Sequence, residues 1–89
     1  MAIIQQSGSP INITSSGAVS LVAGNLIGFY VNSTTAGTVV VRNGGATGTA
    51  ISGTITPAIG FHSFPAYCTS GCYLTLANTI DVTAFFAAG

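Results

Sequence analysis

The chain has 89 residues and a formal net charge of zero, because Arg42 is its one Lys or Arg and Asp81 its one acid. Charged residues make up 2% of it, where about 25% is usual for soluble domains. That balance argues against nucleic acid as a partner, since neutralising phosphates takes several Lys or Arg side chains. It also removes the long-range repulsion that keeps free monomers apart, so most of the surface is expected to be occupied by partners.

At this length there is room for one domain with one modest core. The N-terminus, Met1-Ala2-Ile3-Ile4-Gln5-Gln6, lacks the basic region and long apolar run of a secretory signal, so synthesis in a cytoplasm is the default reading. Residues 1–10, with Ser7-Gly8-Ser9-Pro10 as a hinge, read as an N-terminal arm, and residues 11–89 as the domain. Gly, Ser, Thr or Asn interrupts every apolar run before it reaches the length of a spanning helix, which argues against a helical membrane protein.

From Ile11 onward the chain alternates turn residues with pieces rich in Val, Ile, Phe, Tyr and Thr, which suit a pleated, half-buried surface. Strands are predicted at Ile11-Thr14, Ala18-Val22, Leu26-Asn32, Thr38-Arg42, Ala50-Ile55, Gly60-Ala66, Cys72-Leu76 and Thr79-Phe86. The segment Ser33-Thr34-Thr35-Ala36-Gly37 reads as a short loop that lets Leu26-Asn32 pair with Thr38-Arg42. Asn43-Gly44 after a Val-rich run is a hairpin signal, because both residues tolerate positive φ, and Gly45 to Gly48 can lengthen the loop. In Ile80-Asp81-Val82-Thr83-Ala84 apolar and polar residues alternate, so Asp81 and Thr83 should point away from the core. The expected fold is all-β, a small antiparallel β-sandwich or jelly-roll-like domain of about seven to eight short strands.

Two stretches, Leu26-Ile27-Gly28-Phe29-Tyr30-Val31 and Val39-Val40-Val41, are apolar on both parities. That pattern means either a central strand or a second face covered by a neighbour, and in so short a chain the neighbour is the favoured reading. With the aromatic end of the chain they give the candidate interface residues: Phe29, Tyr30, Val31, Val40, Phe85 and Phe86.

Chemistry has little to draw on. A nucleophilic triad needs a base and an acid, and His62 and Asp81 are the single candidates, neither in a catalytic motif. No enzyme activity, cofactor or metal is therefore expected. Cys68-Thr69-Ser70-Gly71-Cys72 with His62 offers three soft ligands where a structural zinc site wants four. The two cysteines flank a Gly-containing turn and fit either a disulfide or two small half-buried apolar side chains. Gly44-Gly45-Ala46-Thr47-Gly48 lacks the Lys and the following helix of a phosphate cradle. Tyr30, Tyr67 and Tyr73 with many hydroxyl side chains leave a glycan-binding, host-attachment module as an alternative from another class.

The phrases Gly28-Phe29-Tyr30-Val31-Asn32-Ser33-Thr34-Thr35-Ala36-Gly37-Thr38-Val39, Pro57-Ala58-Ile59-Gly60-Phe61 and Asp81-Val82-Thr83-Ala84-Phe85-Phe86 resemble those of small virion structural proteins of tailed bacteriophages, of the capsid decoration or cement type. The resemblance spans roughly residues 26 to 86. It implies a non-enzymatic subunit of a virion, made in a host bacterial cytoplasm, with a compact β fold. It further implies binding as an oligomer, with a trimer favoured, to identical subunits and to the major capsid protein or another virion protein. A tail, neck or fibre component is the alternative within the same class.

Overall fold

The computed structural model describes residues 9–88. Among them there are six strands and no helix: β1 (Ser9–Ile13), β2 (Gly17–Ser20), β3 (Gly24–Asn43), β4 (Thr49–Ala50), β5 (Gly60–Cys68) and β6 (Cys72–Ala88). Every pairing between these strands is antiparallel. The sheet is organised by its two long strands, β3 and β6, which run side by side from Gly24 opposite Ala88 to Asn43 opposite Cys72. The outer edge of β6 carries β1 at one end and β2 at the other. The outer edge of β3 carries β5 opposite Gly24 to Val31, and β4 opposite Arg42 and Asn43.

Twenty residues of straight strand would run about 66 Å at about 3.3 Å per residue, yet the longest dimension of the molecule is 44 Å. The long strands must bend, and the register shows where. Pairing of β3 with β6 slips between Val31 and Ser33 and again between Thr35 and Thr38. Ala36 adopts φ 54° and Asn78, on the facing strand, φ 62°. Side chains hold the irregular backbone: the Gly37 amide donates to the Thr34 hydroxyl at 3.0 Å, and Asn78 Nδ2 donates to the Ala36 carbonyl at 2.7 Å. A bulge of this kind bends a strand without ending it.

This corrects the expected strand list. Ser33–Gly37 does not reverse the chain, so Leu26-Asn32 and Thr38-Arg42 are two halves of β3 and both pair with β6. Cys72-Leu76 and Thr79-Phe86 are likewise one strand, β6, continuous through Asn78. Thr34, Thr35 and Thr38 are β-branched and favour extended backbone, and the bulge absorbs the Ala36-Gly37 irregularity. Of the expected Ala50-Ile55 strand, Ala50 lies in β4 and Ile55 makes a separate two-way backbone pairing with Val39, at 2.8 and 2.9 Å. The Asn43-Gly44 hairpin is present, with Gly44–Gly48 as its link and Gly44 at φ 106°. Of the arm expected over residues 1–10, residues 1–8 lie outside the described residues, and Ser9 and Pro10 begin β1.

One face of the sheet is the core. From β6 come Cys72, Leu74, Ile80, Val82, Ala84 and Phe86, all even positions, and from β3 come Leu26, Phe29, Val31, Val39 and Val41. The inward set of β3 changes parity at each of its three bulges: even at Leu26, odd at Phe29 and Val31, even at Thr34 opposite Ile80, and odd again at Val39 and Val41. Cys68 joins from β5, and Ile11, Ile13, Val19, Ile55, Phe64 and Leu76 pack around the margin. Both halves of the bent ribbon thus feed one apolar cluster, in which each large side chain is worth about 1.5–3 kcal/mol of burial. Among the described residues no polar side chain is buried with it.

Candidate functional site

The opposite face is wet and nearly uncharged. Along β5 the odd positions Phe61, Ser63, Pro65 and Tyr67 are exposed while the even ones turn inward. Phe61 lies opposite Tyr30, which lies opposite Thr83; in the next row Gly28 stands between Ser63 and Phe85, and Phe85 is flanked by Pro10. The Phe61 and Phe85 rings meet across Gly28 with centroids 6.0 Å apart and planes tilted by 57°. That geometry is favourable by about 0.5–1.5 kcal/mol for an aromatic pair. It depends on the glycine: a Cβ at residue 28 would sit 2.8 Å from Phe61 Cζ and 2.5 Å from the His62 carbonyl. The result is an aromatic surface on which Phe61 is 51% and Tyr30 42% exposed.

The two formal charges lie apart, each held by neutral groups. Asp81 Oδ1 accepts from Asn12 Nδ2 at 2.6 Å and from Asn32 Nδ2 at 3.3 Å, and both amides also reach the Thr83 hydroxyl. These residues continue the outer face beside Tyr30, so the rim of the aromatic patch is a strip of amides and hydroxyls around one carboxylate, Asp81. Arg42 belongs to the other half of β3, where Nε donates to the Thr75 hydroxyl at 2.9 Å and Nη1 to the Gly48 carbonyl at 3.1 Å.

The candidate interface residues divide according to strand alternation. Tyr30, Val40 and Phe85 are on the outer face, half-buried or exposed. Phe29, Val31 and Phe86 are in the core, at 1%, 0% and 5% exposure, so they leave the candidate set: an inward side chain has no surface to offer. β3 is central in the sheet, flanked by strands on both edges, and its outward apolar residues Tyr30 and Val40 remain on the surface. Phe61 and Gly28 lie outside that candidate set, although the exposed alternation Phe61, Ser63, Pro65, Tyr67 is readable in β5.

The structure does not bring His62 and Asp81 together. His62 Nε2 is 2.7 Å from the Ala58 carbonyl and its ring lies 5.5 Å from that of Phe29, on the inner side, whereas Asp81 is engaged on the outer side. Among the described residues no three His, Cys, Asp or Glu side chains gather as a metal site would require. A shallow hollow of about 290 Å³ opens between β1 and β2, lined by Pro10, Ile11, Val19, Ser20, Phe86 and Ala88, with the Ser20 hydroxyl as its single polar side-chain group.

Cys68 and Cys72 are free thiols, both fully buried, at the turn that carries β5 into β6. Burial pushes the Cys72 thiol up from 9.0 to about 12, helped by the charge and hydrogen bond of Cys68 beside it. The unfolded chain therefore releases this proton at a lower pH than the folded one. Stability is complete below about pH 9 and falls as the pH rises towards about 12, by up to about 1.4 kcal/mol per unit. Denaturant melts across that window should show a steeper alkaline loss for the wild type than for Cys72→Ala; equal slopes would remove the effect from this thiol.

No known protein family, curated protein or solved structure matches the chain significantly.

Proposed function

We propose that this chain is a virion structural protein, a capsid decoration or cement subunit that stabilises a shell by packing against copies of itself and against the shell protein. In this reading the bent six-stranded sheet is a sandwich-like unit closed around one core. Its working surface is the outer face of β5, β3 and β6. The observation that carries the proposal is that aromatic face, with Tyr30, Phe61 and Phe85 gathered over Gly28 and rimmed by the Asn12, Asn32, Asp81 and Thr83 side chains. Exposed aromatic patches with polar rims are what subunit interfaces are made of. The mechanism is binding energy without a chemical step: burial at about 25 cal/mol per Å², reduced by ordering and association costs, then repeated over many equivalent sites.

Sedimentation provides the test. The protein should run as an oligomer of its 8.8 kDa chain, and its mass should hold between about 0.05 and 1 M salt, because a contact without charge pairs has little for ions to screen. A stable monomer, or dissociation driven by salt, would overturn the proposal. A tail, neck or fibre component would use the same face, and copy number in purified particles separates it from a shell protein.

A further inference from the structure

The β5–β6 turn holds the cysteine pair in a closed setting. Cys68 pairs in the sheet with Gly24, and Cys72 pairs with Asn43 on one side and Ser20 on the other, so both cysteines are pinned at the backbone. Between them, Asn43 clamps the turn: its Nδ2 donates to the Thr69 hydroxyl and its Oδ1 accepts from the Ser70 amide, each at 2.9 Å. The Gly44 amide adds a bond to the Gly71 carbonyl at 2.9 Å. Gly71 itself is packed so closely that a Cβ there would sit 2.7 Å from the Ser20 carbonyl. The two thiols are both fully buried in the core.

We propose that Cys68 and Cys72 form an intrachain disulfide by exchange with a small-molecule disulfide only before β5 and β6 have packed, and that folding then seals the pair in the redox state it finds. In the exchange, one cysteine thiolate attacks a sulfur of glutathione disulfide, and one reduced glutathione leaves. The thiolate of the second cysteine then attacks the protein sulfur of the mixed disulfide and expels the second glutathione. The two protein thiols give up two protons and two electrons in all, which end on two glutathione thiols. Within the folded chain both steps are blocked. The mixed disulfide would place a tripeptide where there is no solvent-accessible room, and the raised Cys72 pKa cuts its thiolate fraction about 1,000-fold relative to an ordinary thiol. A chain folded in a reducing compartment consequently keeps its thiols after it leaves. This inference is independent of the proposed packing role.

The experiment compares reduced, folded protein with protein refolding from denaturant, both in glutathione disulfide at neutral pH. Thiol counting and intact mass are the readouts. The folded protein should react at least about 30-fold more slowly than the denatured chain, after allowing for the higher nucleophilicity of a high-pKa thiolate. Refolding should yield a chain without intermolecular disulfides and lighter by two hydrogen atoms. Equal rates in the folded and denatured states would overturn the proposal, and so would refolding that ends in glutathione adducts or linked dimers. Asn43→Ala removes the clamp and should raise thiol reactivity of the folded protein about tenfold, as expected for two lost hydrogen bonds; unchanged reactivity would show that the turn does not gate the pair.

Discussion

Alanine at Phe29 should lower the free energy of unfolding by about 3–5 kcal/mol, whereas alanine at the next residue, Tyr30, should change it by no more than about 1 kcal/mol. Phe29 is 1% exposed and packs in the core beside Leu26 and Val31, so truncation there loses the transfer energy of a ring and leaves a cavity. Tyr30 lies on the outer face and is 42% exposed, so its truncation opens no closed cavity. In a domain of this size the Phe29 change corresponds to a fall in Tm of more than about 12 °C. Association should show the reverse ranking. If the outer face is the packing surface, Tyr30→Ala should weaken self-association by about 5- to 30-fold, the usual effect of truncating an aromatic anchor. Thermal melts and sedimentation equilibrium on the two variants read both quantities. A Phe29→Ala protein as stable as wild type would contradict the core assignment, and a Tyr30→Ala protein with undiminished association would remove Tyr30 from the interface.

That contrast also shows what could be read in the sequence. The all-β class was legible because turn residues break up every apolar run and the chain has neither Lys nor Glu, the usual solvent-facing residues of a helix. The facing of β6 was legible because Asp81 and Thr83 alternate with Val82 and Ala84 in a strand whose parity never slips. In β3 the same reasoning had no purchase. Phe29, Tyr30 and Val31 are all apolar, so composition could not tell the inward pair from the outward residue, and a bulge at Leu26 and Gly28 shifts the parity within the strand. The aromatic patch was hidden for a related reason. Phe61 and Phe85 are 24 residues apart in sequence, and what joins them is the absence of a side chain at Gly28, visible only once three strands are in register.

The bend in the ribbon gives the sharpest test of how one sheet closes on one core. By composition Ser33–Gly37 is a loop, in which a larger side chain should be tolerated. In the fold Gly37 is buried, and a Cβ there would lie 2.5 Å from the Ile80 Cβ, 2.8 Å from the Thr79 carbonyl and 2.8 Å from the Thr34 hydroxyl. The Thr79 carbonyl is backbone of the facing strand, and Ile80 belongs to the core, so neither can move aside cheaply. Gly37→Val should therefore cost at least about 3 kcal/mol, at the upper end of overpacking effects. The adjacent change should act in the opposite direction. Ala36 holds φ 54°, where an L side chain is strained by about 1–2 kcal/mol, and glycine relieves that at an entropic cost of about 0.4–1 kcal/mol. Ala36→Gly should thus be mildly stabilising. Urea midpoints with unchanged m-values would give both numbers. A Gly37→Val protein that unfolds at the wild-type midpoint would mean that the chain passes this point as an open loop, and that the two halves of β3 need not share one continuous strand or one core.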